Sequence, residues 1–306
     1  MIPVRPFGRH ADITISALAL GGYHLGSMKS VRESTRIVHA AIDAGVTFLD
    51  NAWEYHEHES EARMGRAIAD RRERVFLMTK VCTHGRDAKV AMKQLEESLR
   101  RLKTDHLDLW QVHECAYYND PDLHFARGGV IEALDRARRD GKVRFVGFTG
   151  HKDPDIHLRM LSHQYPFDSC QMPLNVFDAS FRSFEQRVLP ELLRQRIAPI
   201  GMKPFCGHGE AIKKRVVSAQ DALRYAMSLP VATTVCGVDS MKVLKQNVEI
   251  ASNFKPLSRT QMEQLRHRMA QVASDGRFER YKTTAEHEGD EGRAQHGFPS
   301  SEELSA

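Results

Sequence analysis

The sequence predicts an α/β protein folded as a (β/α)8 TIM barrel, with an N-terminal β-hairpin and an irregular C-terminal tail. From residue 46 onward, short apolar runs alternate with longer amphipathic stretches, a pattern typical of parallel strands joined by helices. The strand candidates number eight, and a helix candidate follows each of them, which favours a closed barrel. The length of 306 residues suits one barrel of roughly 250 residues with additions at its ends.

The strands are predicted from short, mainly apolar runs. These are ALALGG (17–22), VTFLD (46–50), VFLMTK (75–80), LDLWQVH (107–113), RFVGFT (144–149), SCQMP (169–173), APIGMK (198–203) and TTVCG (233–237). An open doubly wound sheet is the alternative, and it normally carries G-x-G-x-x-G after the first strand. The first run here is followed by YHLG, which does not complete that motif.

The helices are predicted from apolar residues spaced three and four apart. They fall near 31–44, 60–70, 88–102, 128–139, 153–162, 183–195, 218–227 and 240–252. Glycine in DAG (43–45) and RDG (139–141) marks helix ends, and Asp153-Pro154 marks a helix start. We predict one barrel domain over 1–275, with a hairpin at 5–16 and an extra helix at 258–274. Residues 276–306 are predicted to be an irregular tail.

Composition excludes several classes of protein. The formal charge of +4 is spread along the chain, which argues against nucleic-acid binding. The five cysteines are far apart and form no C-x-x-C pair, as expected for reduced thiols in the cytoplasm. The N-terminus lacks the apolar run of a signal peptide, and no window approaches a membrane span. We therefore expect a cytoplasmic protein that does not associate with membranes.

Polar side chains stand where three neighbouring strands end. Asp50 closes the second strand, Lys80 the third and His113 the fourth, and Tyr55 lies five residues after Asp50. In a barrel of this kind the working groups sit at the carboxyl ends of the strands. A buried ionisable group is costly unless it is paired, so these side chains are predicted to contact one another.

The segments FLDNAWEY, MTK and LDLWQVH resemble three motifs of the aldo-keto reductase family. The resemblance extends from Gly21 to Asn247 and implies a catalytic tetrad. It assigns Tyr55 as the general acid, Lys80 as the cation that lowers the pKa of Tyr55, Asp50 as the partner of Lys80, and His113 as an orienting donor. It also implies hydride transfer between a nicotinamide cofactor and a carbonyl or alcohol group.

The same resemblance assigns residues to the nicotinamide half of the cofactor. Thr149 and Gln171 match the residues that hold the carboxamide, but Gly150 replaces the usual Asn, so His151 or Asn175 is expected to substitute. Met202 stands where the family often stacks a Tyr on the nicotinamide. Lys203 reaches the phosphates or forms a salt bridge at the barrel rim. The remaining candidates are Gly22 and, in the glycine-bearing loop after the seventh strand, Pro204, Phe205, Gly207 and Gly209.

The segment CGVDSMKVLKQN resembles the part of the family that binds the adenosine half. Its matching residues are Gly237, Ser240, Gln246 and Asn247. The arginine that usually holds the 2′-phosphate is replaced by Val243, and Lys242 is the candidate substitute. We expect NADP(H), with NAD(H) as the alternative.

Tyr23, His24 and Trp53 are predicted to line the pocket for a small carbonyl substrate. Two other functions remain open. A metal-dependent barrel hydrolase is suggested by the 16 histidines, although no H-x-H follows the first strand. A non-catalytic barrel subunit that senses the cofactor is the other alternative. No metal is expected, and the oligomeric state is not encoded in these motifs.

Overall fold

The structure is a computed structural model that describes residues 1–82, 87–285, 288–295, 297, 299–300 and 302–303. Parts of the predicted tail, at 286–287, 296, 298, 301 and 304–306, lie outside the described residues. In the described part of the chain, no helix has the length and apolar character needed to cross a membrane. All five cysteines are buried, and none forms a disulfide bond within the described residues.

The strands form a two-stranded hairpin followed by a closed parallel barrel, as predicted. Their bounds within the described residues are β1 Val4–Phe7, β2 His10–Ser16, β3 Leu18–Gly21, β4 Phe48–Asp50, β5 Phe76–Val81, β6 Leu107–Val112, β7 Val143–Thr149, β8 Ser169–Pro173, β9 Ala198–Met202 and β10 Thr233–Gly237. β3 to β10 pair in chain order, and β10 pairs with β3 to close the ring, with Thr234 opposite Leu18.

Helices surround the barrel and follow its strands. Those of the described residues are α1 Tyr23–Gly26, α2 Val31–Asp43, α3 Glu59–Ile68, α4 Ala88–Leu102, α5 Asp120–Phe125, α6 Val130–Arg139, α7 Pro154–Ser162, α8 Phe184–Arg187, α9 Leu189–Gln195, α10 Glu210–Lys213, α11 Ala219–Ser228, α12 Met241–Ser252, α13 Arg259–Ala273, α14 Arg280–Thr283 and α15 Asp290–Gln295. Short 3-10 helices lie at Arg72–Arg74 and Asp178–Ser180.

The local signals in the sequence explain several helix ends. Asp153 caps α7 by accepting a hydrogen bond from the backbone N–H of Asp155, with proline at the first helical position. Gly45 and Gly141 follow α2 and α6 with φ of 95° and 72°, a region that glycine adopts without strain. The predicted helix at 183–195 is divided at Val188 into α8 and α9, and a proline stands in the first turn of α9.

The hairpin closes the amino-terminal end of the barrel. The Phe7 ring lies 5.1 Å from the ring of Phe76 and 5.2 Å from that of Phe145, and all three belong to a buried cluster inside the barrel. A larger apolar cluster lies between the strands and the surrounding helices. With one end sealed by aromatic packing, the barrel offers a cavity at the carboxyl ends of its strands.

Candidate active site

The predicted polar residues meet at the carboxyl edge of the barrel. Asp50 ends β4, Lys80 lies in β5, and His113 follows β6 directly. A cavity of about 620 Å³ opens there, and Asp50, Tyr55 and His113 all line it. Parallel strands bring their carboxyl ends to one edge, so residues that are far apart in sequence share this cavity.

Lys80 connects the members of this group. Its Nζ donates to Oδ1 of Asp50 at 2.9 Å and to the backbone oxygen of Asn51 at 2.7 Å, and lies 3.4 Å from the Tyr55 hydroxyl. Gln171 donates from Nε2 to the other Asp50 oxygen at 2.8 Å. The Lys80 side chain is only 1% exposed, so its charge is compensated by a partner that is equally withdrawn from water.

The pKa of the Tyr55 hydroxyl is shifted upwards, not downwards as expected from its neighbour Lys80. Burial raises the pKa of Tyr55 well above its usual range, and the carboxyl groups of Asp50, Glu114 and Glu54 act in the same direction. The family resemblance implied that Lys80 would lower this pKa. The direction is opposite because desolvation and three neighbouring carboxyl groups outweigh one ammonium that already pairs with Asp50. The phenol is therefore held in its protonated form.

His113 lies between the phenol and two glutamates. Its Nδ1 is 2.5 Å from Oε1 of Glu54, and its ring centroid is 5.6 Å from that of Tyr55. Burial lowers the pKa of His113 to about 4, so the imidazole is neutral at pH 7. A neutral imidazole has one donor and one acceptor nitrogen, which suits it to orient an oxygen atom in the cavity.

The two glutamates were not anticipated from the sequence. Glu114 follows His113 with a left-handed backbone, φ 50°, and burial raises its pKa to about 7. Burial also raises the pKa of Glu54. Non-glycine residues with positive φ are uncommon and concentrate at functional sites. Their adjacency to Tyr55 and His113 in the sequence was the available signal.

Glu54, His113 and Glu114 are also arranged as a possible metal site. Their candidate ligand atoms lie within 4.8 Å of one another. However, the ammonium groups of Lys80 and Lys203 are close enough to lower the pKa of His113 further. The carboxyl groups of Glu114 and Asp50 act on the pKa of His113 in the opposite direction, so charges of both signs surround this cluster.

Most predicted cofactor residues line the cavity. These are Thr149, His151, Gln171, Met202, Lys203, Pro204, Phe205, Gly207, Gly209, Gly237 and Gln246. Gln171 keeps its Oε1 buried and without a hydrogen-bond partner among the described residues. An unsatisfied buried acceptor is costly, and it fits a ligand amide that donates a hydrogen bond. The amide of Asn247 is likewise buried and unpartnered in the described part of the chain.

Other predicted cofactor residues lie outside the cavity lining. A Cβ at Gly22 would lie 2.5 Å from the backbone oxygen of Asp50, and one at Gly150 would lie 2.6 Å from that of Cys115. These two glycines therefore permit close packing. Ser240 caps α12 by accepting from the backbone N–H of Val243, and Lys242 is exposed away from the lining.

Asn175 and Lys203 take positions that the sequence left open. Asn175 donates to the Tyr281 hydroxyl at 3.0 Å and to Glu279 Oε1 at 3.2 Å, so it belongs to an internal network instead of the cavity wall. Lys203 lines the cavity with Nζ 5.0 Å from the Tyr281 ring centre, and burial lowers its pKa to about 8. No salt bridge from Lys203 is seen among the described residues.

Of the three predicted substrate-pocket residues, the structure brings two to the cavity. Tyr23 and His24 line it. Trp53 does not: its Nε1 donates to Glu97 Oε2 at 2.9 Å, and Arg101 lies over its ring at 5.8 Å. Both partners belong to α4, so the indole packs outside the barrel mouth.

The C-terminal segment forms part of the cavity wall. Glu288 and Gly289 line the cavity, and the backbone N–H of Gly289 donates to Glu114 Oε2 at 3.0 Å. Glu288 pairs with Lys152 at 2.7 Å and with Arg293 at 2.8 Å. This part of the predicted tail is therefore fixed by ion pairs across the barrel mouth.

A second set of contacts holds the same segment closer to the barrel. Lys282 pairs with Asp178 at 2.7 Å and with Glu279 at 3.0 Å, and all three side chains are fully buried. A buried charge that loses its partner is strongly destabilising, so these pairs resist separation. The segment is thus anchored before it reaches the cavity.

Comparison with known proteins identifies relatives of this chain. A family model described as "Aldo/keto reductase family" matches residues 17–214. The chain is 28% identical to "6-dehydroglucose reductase" of Novosphingobium aromaticivorans, over 74% of this chain and 80% of that protein. It is 27% identical to "Methylglyoxal reductase YeaE" of Escherichia coli, over 65% of this chain and 67% of that protein.

Solved structures share the fold. An aldo-keto reductase of Bacillus halodurans in its holo form superposes with a TM-score of 0.72 at 21% identity, covering 87% of this chain and 96% of that one. An aldo/keto reductase of Klebsiella pneumoniae, solved in complex with NADP and acetate, superposes with a TM-score of 0.71 at 22% identity, covering 88% and 96%.

Proposed function

This chain belongs to the aldo/keto reductase family of oxidoreductases, and from that premise we propose that it reduces the carbonyl group of a small molecule with NADPH. The observation that carries the proposal is the position of Lys80 Nζ, 2.9 Å from Asp50 Oδ1 and 3.4 Å from the Tyr55 hydroxyl, at the edge of the cavity. In this arrangement the phenol can donate a proton, the adjacent ammonium can stabilise the phenolate that forms, and the carboxylate can hold the ammonium in place.

The chain's own residues supply the proton and the orientation. Tyr55 donates its hydroxyl proton to the carbonyl oxygen as that oxygen becomes an alkoxide. Its raised pKa keeps the proton in place until then. Lys80 stabilises the resulting phenolate, and Asp50 holds Lys80 in position. His113 orients the carbonyl oxygen. The reduced nicotinamide supplies the hydride that the carbonyl carbon accepts.

The lining residues fit a nicotinamide dinucleotide. Thr149, His151 and the unpartnered Oε1 of Gln171 would hold the carboxamide, and Met202 would pack on the ring. Gly207 and Gly209 allow the backbone to approach the pyrophosphate. Gln246 and Asn247 would hold the adenosine half. We choose NADP(H) because a structural relative is described in complex with NADP.

The substrate proposed is a small carbonyl compound. Two relatives are named as reductases of 6-dehydroglucose and of methylglyoxal, both of which are small molecules with a reducible carbonyl group. The cavity of about 620 Å³ must hold part of the cofactor as well, which leaves room for a substrate of modest size.

Steady-state assays of the full chain test this function. NADPH oxidation is followed by absorbance with a panel of short aldehydes, and transfer of deuterium from labelled NADPH to the alcohol product is followed by mass spectrometry. We expect turnover with transfer of the label. Tight NADPH binding without turnover of any aldehyde would instead support a non-catalytic, cofactor-sensing barrel. Stoichiometric zinc in the purified protein would favour the metal-dependent hydrolase.

A further inference from the structure

The two walls of the cavity differ in chemistry. The aliphatic lining side chains belong to β9, β10 and the segments that follow them, and include Met202, Ile212, Val235 and Val243. The opposite wall is formed by residues that follow β3, β4 and β6. Among its described lining residues it carries no aliphatic side chain, and presents phenol, imidazole and carboxyl groups. The side that follows β9 and β10 combines its aliphatic side chains with polar ones, among them Lys203, Asp239 and Gln246.

The polar wall is centred on His113. Glu54 Oε1 lies 2.5 Å from Nδ1 of His113, and the functional groups of Glu54, His113 and Glu114 lie within 4.8 Å of one another. The side chains of Glu54 and His113 are 8% and 7% exposed. The His113 ring centroid lies 5.6 Å from that of Tyr55, so a substrate whose carbonyl group is held by Tyr55 has this group beside it.

Further polar groups continue this wall outward. His24 and His56 line the cavity, and each keeps one buried ring nitrogen, Nδ1 and Nε2 respectively, without a hydrogen-bond partner among the described residues. Glu288 lines the cavity from the C-terminal segment, where Lys152 and Arg293 compensate its charge. A ligand on this side of the cavity therefore lies beside the imidazole groups of His24 and His56 and the carboxyl group of Glu288.

The balance of charge narrows the ligand further. A carboxylate or phosphate on the substrate would approach Glu54 and Glu114 and would be repelled by whichever of them is ionised. A cationic substrate would be attracted by the same carboxyl groups but repelled by the ammonium groups of Lys80 and Lys203, so neither sign of charge is matched by all of its neighbours. A neutral hydroxyl group both donates and accepts a hydrogen bond, so it suits carboxyl and imidazole partners in either protonation state.

We propose that the wall built from Glu54, His113 and Glu114 selects a neutral, hydroxylated carbonyl compound, with a hydroxyl group beside the carbonyl bound by Glu114. This inference rests on the proposed reductase function. An apolar substrate of the same length would offer no hydrogen-bonding group to the carboxyl and imidazole groups of this wall, and sites built to hydrogen-bond a hydroxyl group discriminate strongly against analogues that lack it.

The experiment compares four aldehydes with NADPH: glyceraldehyde, propanal, the anion glyoxylate and the cation betaine aldehyde. Concentrations are corrected for the free carbonyl form. We expect kcat/KM for glyceraldehyde to exceed that for propanal by about tenfold to a hundredfold. A preference for propanal, glyoxylate or betaine aldehyde overturns the inference but leaves the reductase function standing. Failure to reduce any aldehyde overturns the reductase function itself.

Variants of Glu114 test whether this residue causes the preference for glyceraldehyde over propanal. Glu114→Leu is expected to lower the glyceraldehyde-to-propanal ratio of kcat/KM by about tenfold, and Glu114→Gln, which can still hydrogen-bond, to lower it much less. Glu263→Leu, at an exposed position of α13, is the matched control and should not change the ratio. NADPH binding by fluorescence verifies folding. An unchanged ratio in folded Glu114→Leu contradicts the role of Glu114; if that variant does not fold, Glu114→Gln and the wild-type panel decide.

Discussion

Lys80 donates to Asp50 across 2.9 Å, with exposures of only 1% and 4% for the two side chains. A pair this deeply buried is maintained because each charge compensates the other. The same ammonium lies 3.4 Å from the Tyr55 hydroxyl, so one interaction serves both the stability of the barrel mouth and the proposed chemistry.

Lys80→Met should therefore reduce both the stability of the protein and its catalytic activity. It leaves the Asp50 carboxylate buried with Gln171 as its remaining side-chain donor, and should lower the free energy of unfolding by about 3–5 kcal/mol. The rate of single-turnover reduction of an aldehyde should also fall strongly. The double variant Lys80→Met, Asp50→Asn removes the isolated charge, and should recover stability in denaturant titrations without recovering turnover. Recovery of turnover in the double variant would argue against the role of Lys80.

Tyr55→Phe separates chemistry from packing. The ring is retained and only the hydroxyl is lost, so thermal stability and NADPH affinity should change little. Turnover should fall by about 10²–10⁴-fold, the usual contribution of a positioned acid. Melting temperature, cofactor fluorescence and product formation are measured on the same preparation. Wild-type turnover in this variant would mean that another group donates the proton, and His113 would be the first to examine.

The pH dependence of stability should show two opposing effects at one site. Burial raises the pKa of Glu114 from 4.5 to about 7, so the folded state holds this proton more tightly and stability falls as pH rises from 4.5 to 7. Burial lowers the pKa of His113 from 6.5 to about 4, so its contribution to stability is present above pH 6.5 and is lost as pH falls towards 4.

Single variants should expose each effect. Glu114→Gln removes the carboxyl group whose ionisation lowers the stability of the folded state as pH rises. The free energy of unfolding of this variant should therefore rise with pH between 4.5 and 6.5, with a slope that exceeds that of wild type by up to about 1.4 kcal/mol per pH unit. For His113→Asn, the free energy of unfolding should fall with pH over the same range relative to wild type, because Glu114 then titrates without the opposing effect of His113. Urea denaturation across this pH range gives both slopes. Parallel curves for wild type and Glu114→Gln would show that Glu114 titrates normally.

A side chain at Gly289 is expected to displace its neighbours in the cavity wall. A Cβ at this position would collide with the carboxyl group of Glu54 in the cavity wall. Gly289→Ala should displace Glu54 or the C-terminal segment, and lower kcat/KM for an aldehyde by about tenfold through misplacement of the substrate. NADPH affinity should be retained. Ala294→Ser, at an exposed position of α15, is the control. Equal activity of both variants would show that the segment yields easily.

Cofactor choice should depend on Lys213 more than on Lys242. Lys213 lines the cavity, whereas Lys242 is exposed outside its lining. If Lys213 faces the 2′-phosphate, Lys213→Glu should weaken NADPH binding by about tenfold more than NADH binding. Lys242→Glu should affect the two cofactors equally. Fluorescence titrations with both cofactors make the comparison, and a selective loss of NADPH binding in Lys242→Glu would restore the assignment made from the sequence.

The sequence predicted the barrel closely because the periodicity of apolar residues is a local property. The helix predicted at 88–102 coincides with α4, and the strand predicted at 169–173 coincides with β8. The meeting of Asp50, Lys80 and His113 also followed from topology, since each residue stands at the end of a strand of the barrel.

What the sequence did not reveal depends on contacts between distant segments. Glu114 is buried partly by Gly289, which lies 175 residues later, and no local pattern encodes that approach. Trp53 was expected at the pocket, but its indole faces Glu97 and Arg101 on α4. The raised pKa of Tyr55 likewise reflects the sum of burial and neighbouring carboxyl groups, which depends on the packed structure.

The closure of the ring by β3 and β10 has a consequence for how the molecule folds. Leu18 pairs with Thr234, so this seam joins the first strand of the barrel to its last, and the entropy of closing so long a loop must be lost before the pairing is gained. Asp50, Lys80 and His113 belong to one consecutive run of strands that can associate earlier. We therefore expect refolding to pass through a populated open-barrel intermediate, in which these side chains are already neighbours but the wall formed by β9 and β10 is still missing.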